Sequence, residues 1–353
     1  MELQFSAFNK LVADVHNRLY YKNSHENFAR IKAEFQKADY GIDTLPRFGR
    51  DVPALVIGSG PSLDAALPFL GAFQGIIFAS PSQLNILERA EIVPNYVVVV
   101  DAADDISWEQ IGPDRDTHGM TLLTSPYVSP KTLEAWKGNR RYFQLIADDP
   151  HFHDAYPWIK VGFPVMGSVN NAEVLIANWM GCSPIVLCGV DYCFPGGRKR
   201  AQDWRKRSAF IFDPKPLDMV PESEVVEGFV GITQETMYYA NLLLGIWSMY
   251  KMPLVQVGDK GAMMDIPFMP PEDLGKPIHV DPPTETQLAA VAETLLESGM
   301  RTYVGDDEIG HFHYKEQDEA AVGPVRDMLH EVTEMADWWT APYPKGGGLR
   351  DDS

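Results

Sequence analysis

A chain of 353 residues, 45% of them apolar, is long enough for one large or two ordinary domains and for a substantial packed core. Its formal net charge of −19 argues against a broad nucleic-acid-binding surface, because phosphate backbones reward clustered Lys and Arg. No apolar run approaches a membrane span, and the opening MELQFSAFNKLVADVHNRLYY lacks the basic start and apolar stretch of an export signal. Three cysteines, Cys182, Cys188 and Cys193, are odd in number and lack the paired spacing of a zinc site, so a reduced, cytoplasmic setting is expected.

The first fifty residues form a helical segment by pattern: Phe5, Phe8, Leu11 and Val12, then Phe28, Ile31 and Phe35, recur at three-to-four spacing. Short β-branched runs then alternate with helical stretches. Strands are expected at 54–57, 75–79, 96–100, 120–124, 141–146, 184–188 and 253–257, and helices at 63–70, 82–90, 168–180 and 233–250. Apolar strands flanked by amphipathic helices predict a doubly wound, mostly parallel, Rossmann-like α/β domain over 51–268, with the ligand along the edge formed by the strand C-termini. Beyond it the Pro-rich stretch IPFMPPEDLGKPIHVDPPTETQ leads into helical patterns at 285–298 and 320–339. A C-terminal helical appendage is expected over 269–344, and a disordered tail over 345–353.

The first strand breaks into Gly58-Ser59-Gly60-Pro61-Ser62 and a helix opens at Leu63. Glycines there allow a tight turn and close approach of a phosphate to backbone N–H groups at a helix start; equally, Pro61 and Ser62 suit an ordinary strand-to-helix turn with Ser62 as cap. The turn is neither a Walker loop nor a full G-x-G-x-x-G, since Leu63 stands where the third glycine belongs. Ser80 and Ser82 follow the second strand. YVVVVDAADD places Asp101 at another strand end, where an acid holds a ribose or, with Asp104 and Asp105, a metal. VMGSVNNAEVLIANWMGCSPIVLCGVDYCF repeats the design, with Gly167, Ser168 and Asn171 at a second turn and Asp191 after a buried strand.

GSGPSLD, PNYVVVVD, the GSVNNAEV to GVDYCF segment and YKMPLVQVGDKGA, in that order, resemble the MptE-like family, which includes the motility accessory factor (Maf) glycosyltransferases and archaeal 6-hydroxymethylpterin diphosphokinases. The order also resembles bacterial CMP-sialic acid sialyltransferases, and the resemblance covers about three-fifths of the chain. It implies that Gly58, Ser59, Gly60, Pro61 and Ser62, with Ser80 or Ser82, line a nucleotide's phosphate or sugar, that Gly167, Ser168 and Asn171 contact the nucleotide, and that Asp191 lies near the donor sugar. The catalytic His of the sialyltransferases does not carry over: GFVGITQE puts Ile232 or Thr233 in its place.

Other candidates come from the residues themselves. His151 and His153 in DDPHFHD suit a base or, with Asp148, Asp149 and Asp154, a metal site; a polar loop is the plainer reading, as a solvated face is for HFHYK at His311. Trp338, Trp339 and Tyr343 suit docking of a last helix. RKRAQDWRKR, from Arg198 to Arg207, gathers six basic residues against one acid just after the turn Phe194-Pro195-Gly196-Gly197. Arg198 and Arg200 are the expected phosphate contacts, against the alternative of a solvated patch.

The expectation is a nucleotide-sugar-dependent glycosyltransferase that uses a CMP- or UDP-linked donor on a hydroxyl acceptor of protein, glycan or modified base, with Asp191, Asp101 and His153 as its chemical groups. The alternatives are a diphosphokinase that uses ATP on a pterin-like substrate with Mg²⁺ at Asp101 and Asp104, and an inactive nucleotide-binding protein.

Overall fold

The computed structural model describes residues 2–48, 52–104, 107–146, 155–164, 168–193, 201, 234–258, 265–297, 300–303 and 311–314. It divides into two compact units, 1–295 and 296–353.

The first unit is built on an eight-stranded sheet. Strands β1 (Ala54–Ile57), β2 (Ile76–Ala79), β3 (Tyr96–Val99), β4 (Thr121–Thr124) and β5 (Asn139–Tyr142) step outward in sequence on one side of β1. β8 (Ile185–Cys188), β9 (Leu254–Val257) and β10 (Phe268–Met269) extend on the other, giving the order β10-β9-β8-β1-β2-β3-β4-β5 with every pairing parallel. Strands β1, β3, β8 and β9 are buried at every position, which is why they read as apolar runs, broken only by Gln256 in β9. The strand order reverses at β1, so the switch point, where open α/β sheets bind ligands, falls between the C-terminal ends of β1 and β8.

Around the sheet lie helices α1 (Glu2–Phe35), α2 (Leu63–Ala66), α3 (Leu84–Arg89), α4 (Trp108–Ile111), α5 (Pro130–Ala135), α6 (Val169–Trp179), α7 (Gln234–Tyr250) and α8 (Glu285–Glu297). One apolar cluster gathers Leu55, Ile57, Ala79, Val186 and Val255 with Leu63, Leu70 and Leu87. A second gathers Val97, Val99 and Leu122 with Ile31, Trp136, Tyr142 and Tyr156.

Four local expectations need correction. The helix expected at 63–70 is α-helical only to Ala66 and continues as a 3₁₀ turn, Leu67–Ala72, because Pro68 near its start has no N–H for an α-type bond. The helix expected at 82–90 begins with a 3₁₀ turn, Pro81–Gln83, under a capping box formed by Ser80 and Gln83. The strand expected at 141–146 is two. The chain leaves β5 at Phe143 and enters β6 (Gln144–Ile146), which pairs in parallel with β7 (Gly162–Pro164) as a separate small sheet. In the second unit, β11 (Met300–Tyr303) and β12 (His311–Tyr314) form an antiparallel pair, so HFHY at His311 is strand in a region expected to be helical. The pattern at 320–339, Trp338, Trp339, Tyr343 and the tail 345–353 lie outside the described residues.

The N-terminal segment is a docked part of the first unit. Phe28 and Phe35 pack against Trp158, with ring centroids 5.9 and 6.1 Å apart. Buried amides fasten α1 to the loops after β3 and β4. Asn23 Nδ2 donates to the carbonyls of Ala102 (2.9 Å) and Tyr127 (3.1 Å), and Asn27 Nδ2 to those of Pro126 (2.9 Å) and Val128 (2.8 Å). Asn27→Ala is expected to cost about 2 kcal/mol, because two buried carbonyls lose their donor together. Denaturant unfolding measures it, and a change below about 0.5 kcal/mol, the range of an ordinary surface substitution, would show that the latch carries no stability.

Candidate functional site

The two turns at the switch point are locked to each other. Gly58 N donates to Cys188 O (2.7 Å) and Gly60 N to Gly189 O (2.8 Å). Ser62 N donates to Asp191 Oδ2 (2.9 Å), and the Ser62 hydroxyl bonds Asp191 Oδ1. A Cβ on Gly58 would fall on the carbonyl oxygen of Gly189, with the Gly189 carbonyl carbon at 2.7 Å and Val190 Cγ2 at 3.0 Å; on Gly60 it would lie 2.8 Å from both Asp191 Cγ and Gly189 O. Gly189 itself has φ +71° and tolerates no side chain without strain.

These contacts show what the glycines pack against. Space expected for a phosphate is filled by the neighbouring turn, and the amides of Gly58, Gly60 and Ser62 are spent on protein acceptors. Helix α2, at four residues, is also too short to present a dipole, and the Ser62 side chain does not cap it but turns to Asp191. Asp191, 5% exposed, thus clasps the β1 turn to the end of β8.

Above this clasp sits the start of α6. Ser168 caps the helix, its Oγ accepting from Asn170 N at 3.3 Å. The Tyr192 hydroxyl donates to Asn171 Oδ1 (2.7 Å) and lies 3.1 Å from Ser168 Oγ, while Asn171 Nδ2 donates to Tyr239 O on α7 (3.2 Å). Burial pushes the Tyr192 phenol up, so it stays a neutral hydroxyl. Its φ of +47° is a left-handed conformation unusual for an aromatic residue, which the two hydroxyl contacts help to hold. Asn170 Nδ2 reaches Glu173 Oε2 (2.7 Å) and, more distantly, Ile57 O at the end of β1 (3.4 Å). Hydroxyls, amides and one clasped carboxylate are thus gathered at the C-terminal ends of β1 and β8.

Sequence reasoning anticipated Ser168, Asn171 and Asp191 there but missed Asn170, Glu173 and Tyr192. Asn170 and Glu173 at i and i+3 in a largely apolar helix, and a Tyr directly after the strand-end acid, were the available signals.

The other expected residues are placed elsewhere or used locally. Ser80 and Ser82, 3.0 Å apart by their hydroxyls, are tied into the Gln83 cap. Asp101 lies after β3, two strands from β1, where its Oδ1 accepts from Ala103 N (2.7 Å) and its charge faces Tyr20 of α1. Asp104 is bonded by Ser129 and Lys131. Burial alone would raise its carboxyl, but those bonds and the Lys131 charge outweigh it and hold the group below the usual carboxylate range. Asp101 and Asp104 therefore do not fit a Mg²⁺ site, which needs carboxylate oxygens directed at the ion. Among the described residues no group of three or more His, Cys, Asp or Glu is arranged to hold a metal. Asp105, Gly167, His151, His153, Arg198 and Arg200 lie outside the described residues. Burial pushes the thiols of Cys182 and Cys193 up to about 12 and that of Cys188 higher, so none is a nucleophile at neutral pH.

The Asp104 pair has a pH consequence. With its folded pKa depressed, Asp104 contributes stability above the ordinary carboxylate range and loses it as pH falls through the lowered value. Asp104→Asn is expected to destabilise slightly near neutrality, less so at high salt, because both partners are solvent-exposed. The difference from wild type should vanish on acidification to about pH 2, below the Asp range. Unfolding at the two pH values measures this.

A family model described as 6-hydroxymethylpterin diphosphokinase MptE-like matches residues 21–197. No curated protein matches. Among solved structures, a Maf glycosyltransferase of Magnetospirillum magneticum AMB-1 superposes with a TM-score of 0.52 at 17% identity, over 80% of this chain and 42% of that one. This chain thus spans less than half of that relative. A monofunctional α-2,3-sialyltransferase of Campylobacter jejuni has a TM-score of 0.36 at 13% identity, over 83% and 98% of the two chains. No helix among the described residues is long and apolar enough to cross a membrane. The family match runs from α1 through both glycine turns and past Asp191, half of the chain, and the protein belongs to the MptE-like family.

Proposed function

We propose that the protein is a glycosyltransferase whose nucleotide-sugar donor, CMP- or UDP-linked, lies across the crevice between β1 and β8. The observation that carries this reading is the convergence of the Gly58–Ser62 turn, Asp191–Tyr192 and the Ser168–Asn171 start of α6 at the topological switch point. The hydroxyl and amide groups there suit ribose, base or sugar. They hold no cation, and the departing nucleotide phosphate needs one.

In this reading the basic stretch from Arg198 to Arg207 supplies it. Ala201 N donates to Ser59 O at 2.8 Å, so the residue that follows Arg200 directly and Arg198 by three is anchored on the glycine turn. Arg198 and Arg200 take the phosphate role in this reading. An acceptor hydroxyl must lose its proton as the glycosyl bond breaks. His153 and Asp101 are the candidates for that base, and Asp191 keeps the donor turn in place.

The family's description supports a second reading, diphosphate transfer from ATP, although the Asp104–Lys131 pair offers no ready Mg²⁺ site. Nucleotide binding without turnover is the third, motivated by the missing His. Thermal shift with CMP, UDP, GDP, ATP and their sugar conjugates, with and without Mg²⁺, separates them: stabilisation by CMP or UDP sugars supports the donor reading, ATP with Mg²⁺ supports the second, and stabilisation without any transfer or hydrolysis supports the third.

A further inference from the structure

Glu173, one turn into α6, is completely buried, yet its carboxyl meets one neutral donor, the Asn170 amide on Oε2. Among the described residues Oε1 has no hydrogen-bond partner. A buried carboxylate is tolerated when a cation or several N–H donors face it; with one amide, taking up a proton costs less than keeping the charge. No cation compensates from the packed elements. Strands β1, β2 and β7 carry no titratable side chain, β3 carries Tyr96 and β8 carries Cys188, while the loop after β8 adds Asp191, Tyr192 and Cys193. Helix α7 contributes Tyr239 and Tyr250 among its described side chains, and its Glu235 and Tyr238 lie outside them. Each of these groups is neutral or negative near neutral pH. Burial accordingly holds the Glu173 carboxyl well above the usual range, with the Asn170 bond opposing it.

We propose that Glu173 is a positioning residue, a protonated carboxyl that keeps the Asn170 amide between α6 and the carbonyl of Ile57, so that the crevice holds its shape only while the proton stays on. Asn170 Nδ2 has two hydrogens and two acceptors, Glu173 Oε2 and Ile57 O. Ionisation draws the amide toward the carboxylate and leaves the end of β1 without that donor. The inference rests on the donor reading only where nucleotide binding is the readout.

The sign of the pH effect is fixed. Unfolded, Glu173 releases its proton in the ordinary carboxylate range; folded, it keeps it to higher pH. The folded state binds the extra proton between those values, so stability falls as pH rises across that window, and the neutral isostere Glu173→Gln shows no such fall.

The test compares the wild-type full chain with Glu173→Gln, or with the uncharged Glu173→Met should the Gln variant not fold. Amide hydrogen exchange over 168–179 is followed against pH, with CMP and UDP titrations in parallel. Expected is a wild-type loss of protection on alkalinisation about tenfold beyond that of the variant, matched by a similar fall in nucleotide affinity confined to wild type. Equal exchange in both proteins across the pH range overturns the proposal. If neither nucleotide binds at any pH the donor reading fails, while the exchange comparison still decides the role of Glu173.

Discussion

Gly58→Ala is expected to lower the free energy of unfolding by about 3–5 kcal/mol, the upper range for a single substitution. The new methyl would meet the Gly189 carbonyl, which belongs to backbone that cannot swing aside as a side chain would. Displacing either turn breaks the bonds Gly58 N to Cys188 O and Gly60 N to Gly189 O, which join β1 to β8 past their last paired residues. Chemical denaturation measures the loss. A variant within about 1 kcal/mol of wild type would mean that the two turns separate easily, and the clasp would then hold nothing in register.

Asp191→Ala carries the second large effect. Its carboxylate takes both the backbone N–H and the hydroxyl of Ser62, and it is nearly inaccessible to solvent. Truncation leaves a part-buried amide without its acceptor and frees the turn that starts α2, a loss of about 2–3 kcal/mol. Asp191→Asn separates stability from function: the amide keeps an acceptor for one of the two Ser62 donors, so most of the stability should return. In the donor reading, nucleotide affinity should still fall about tenfold, because the turn loses one of its two ties. Titration of both variants with CMP and UDP sugars decides. Wild-type affinity in Asp191→Ala would remove the clasp from the site.

The sheet was legible because its central strands are buried and written in apolar runs, YVVVV at 96–100 above all, and because glycine turns end two of them. Its strand order was not. That β8 returns to lie beside β1 depends on pairing between segments about 130 residues apart, for which no local pattern speaks. Likewise Asn23 and Asn27 look like ordinary polar positions on an amphipathic helix, and only the packed structure shows their amides spanning to loops after β3 and β4. For the glycine turn the sequence left a phosphate site and an ordinary turn equally open. A G-x-G that admits a ligand and one that admits a second backbone need the same missing Cβ, and sequence cannot tell which neighbour fills the space. Glu173 was hidden in a run, AEVLIAN, whose composition suits the exposed side of a helix as well as the buried one.

The central claim is that a nucleotide-sugar donor is held where the β1 and β8 turns meet the start of α6. Hydrogen exchange of the full chain, with and without saturating CMP- or UDP-sugar, tests it most directly. The account predicts slowed exchange in segments 54–66, 168–174 and 185–193, strongest in wild type and lost in Asp191→Ala. Binding with protection confined to other segments, and unchanged exchange in these three, would contradict it.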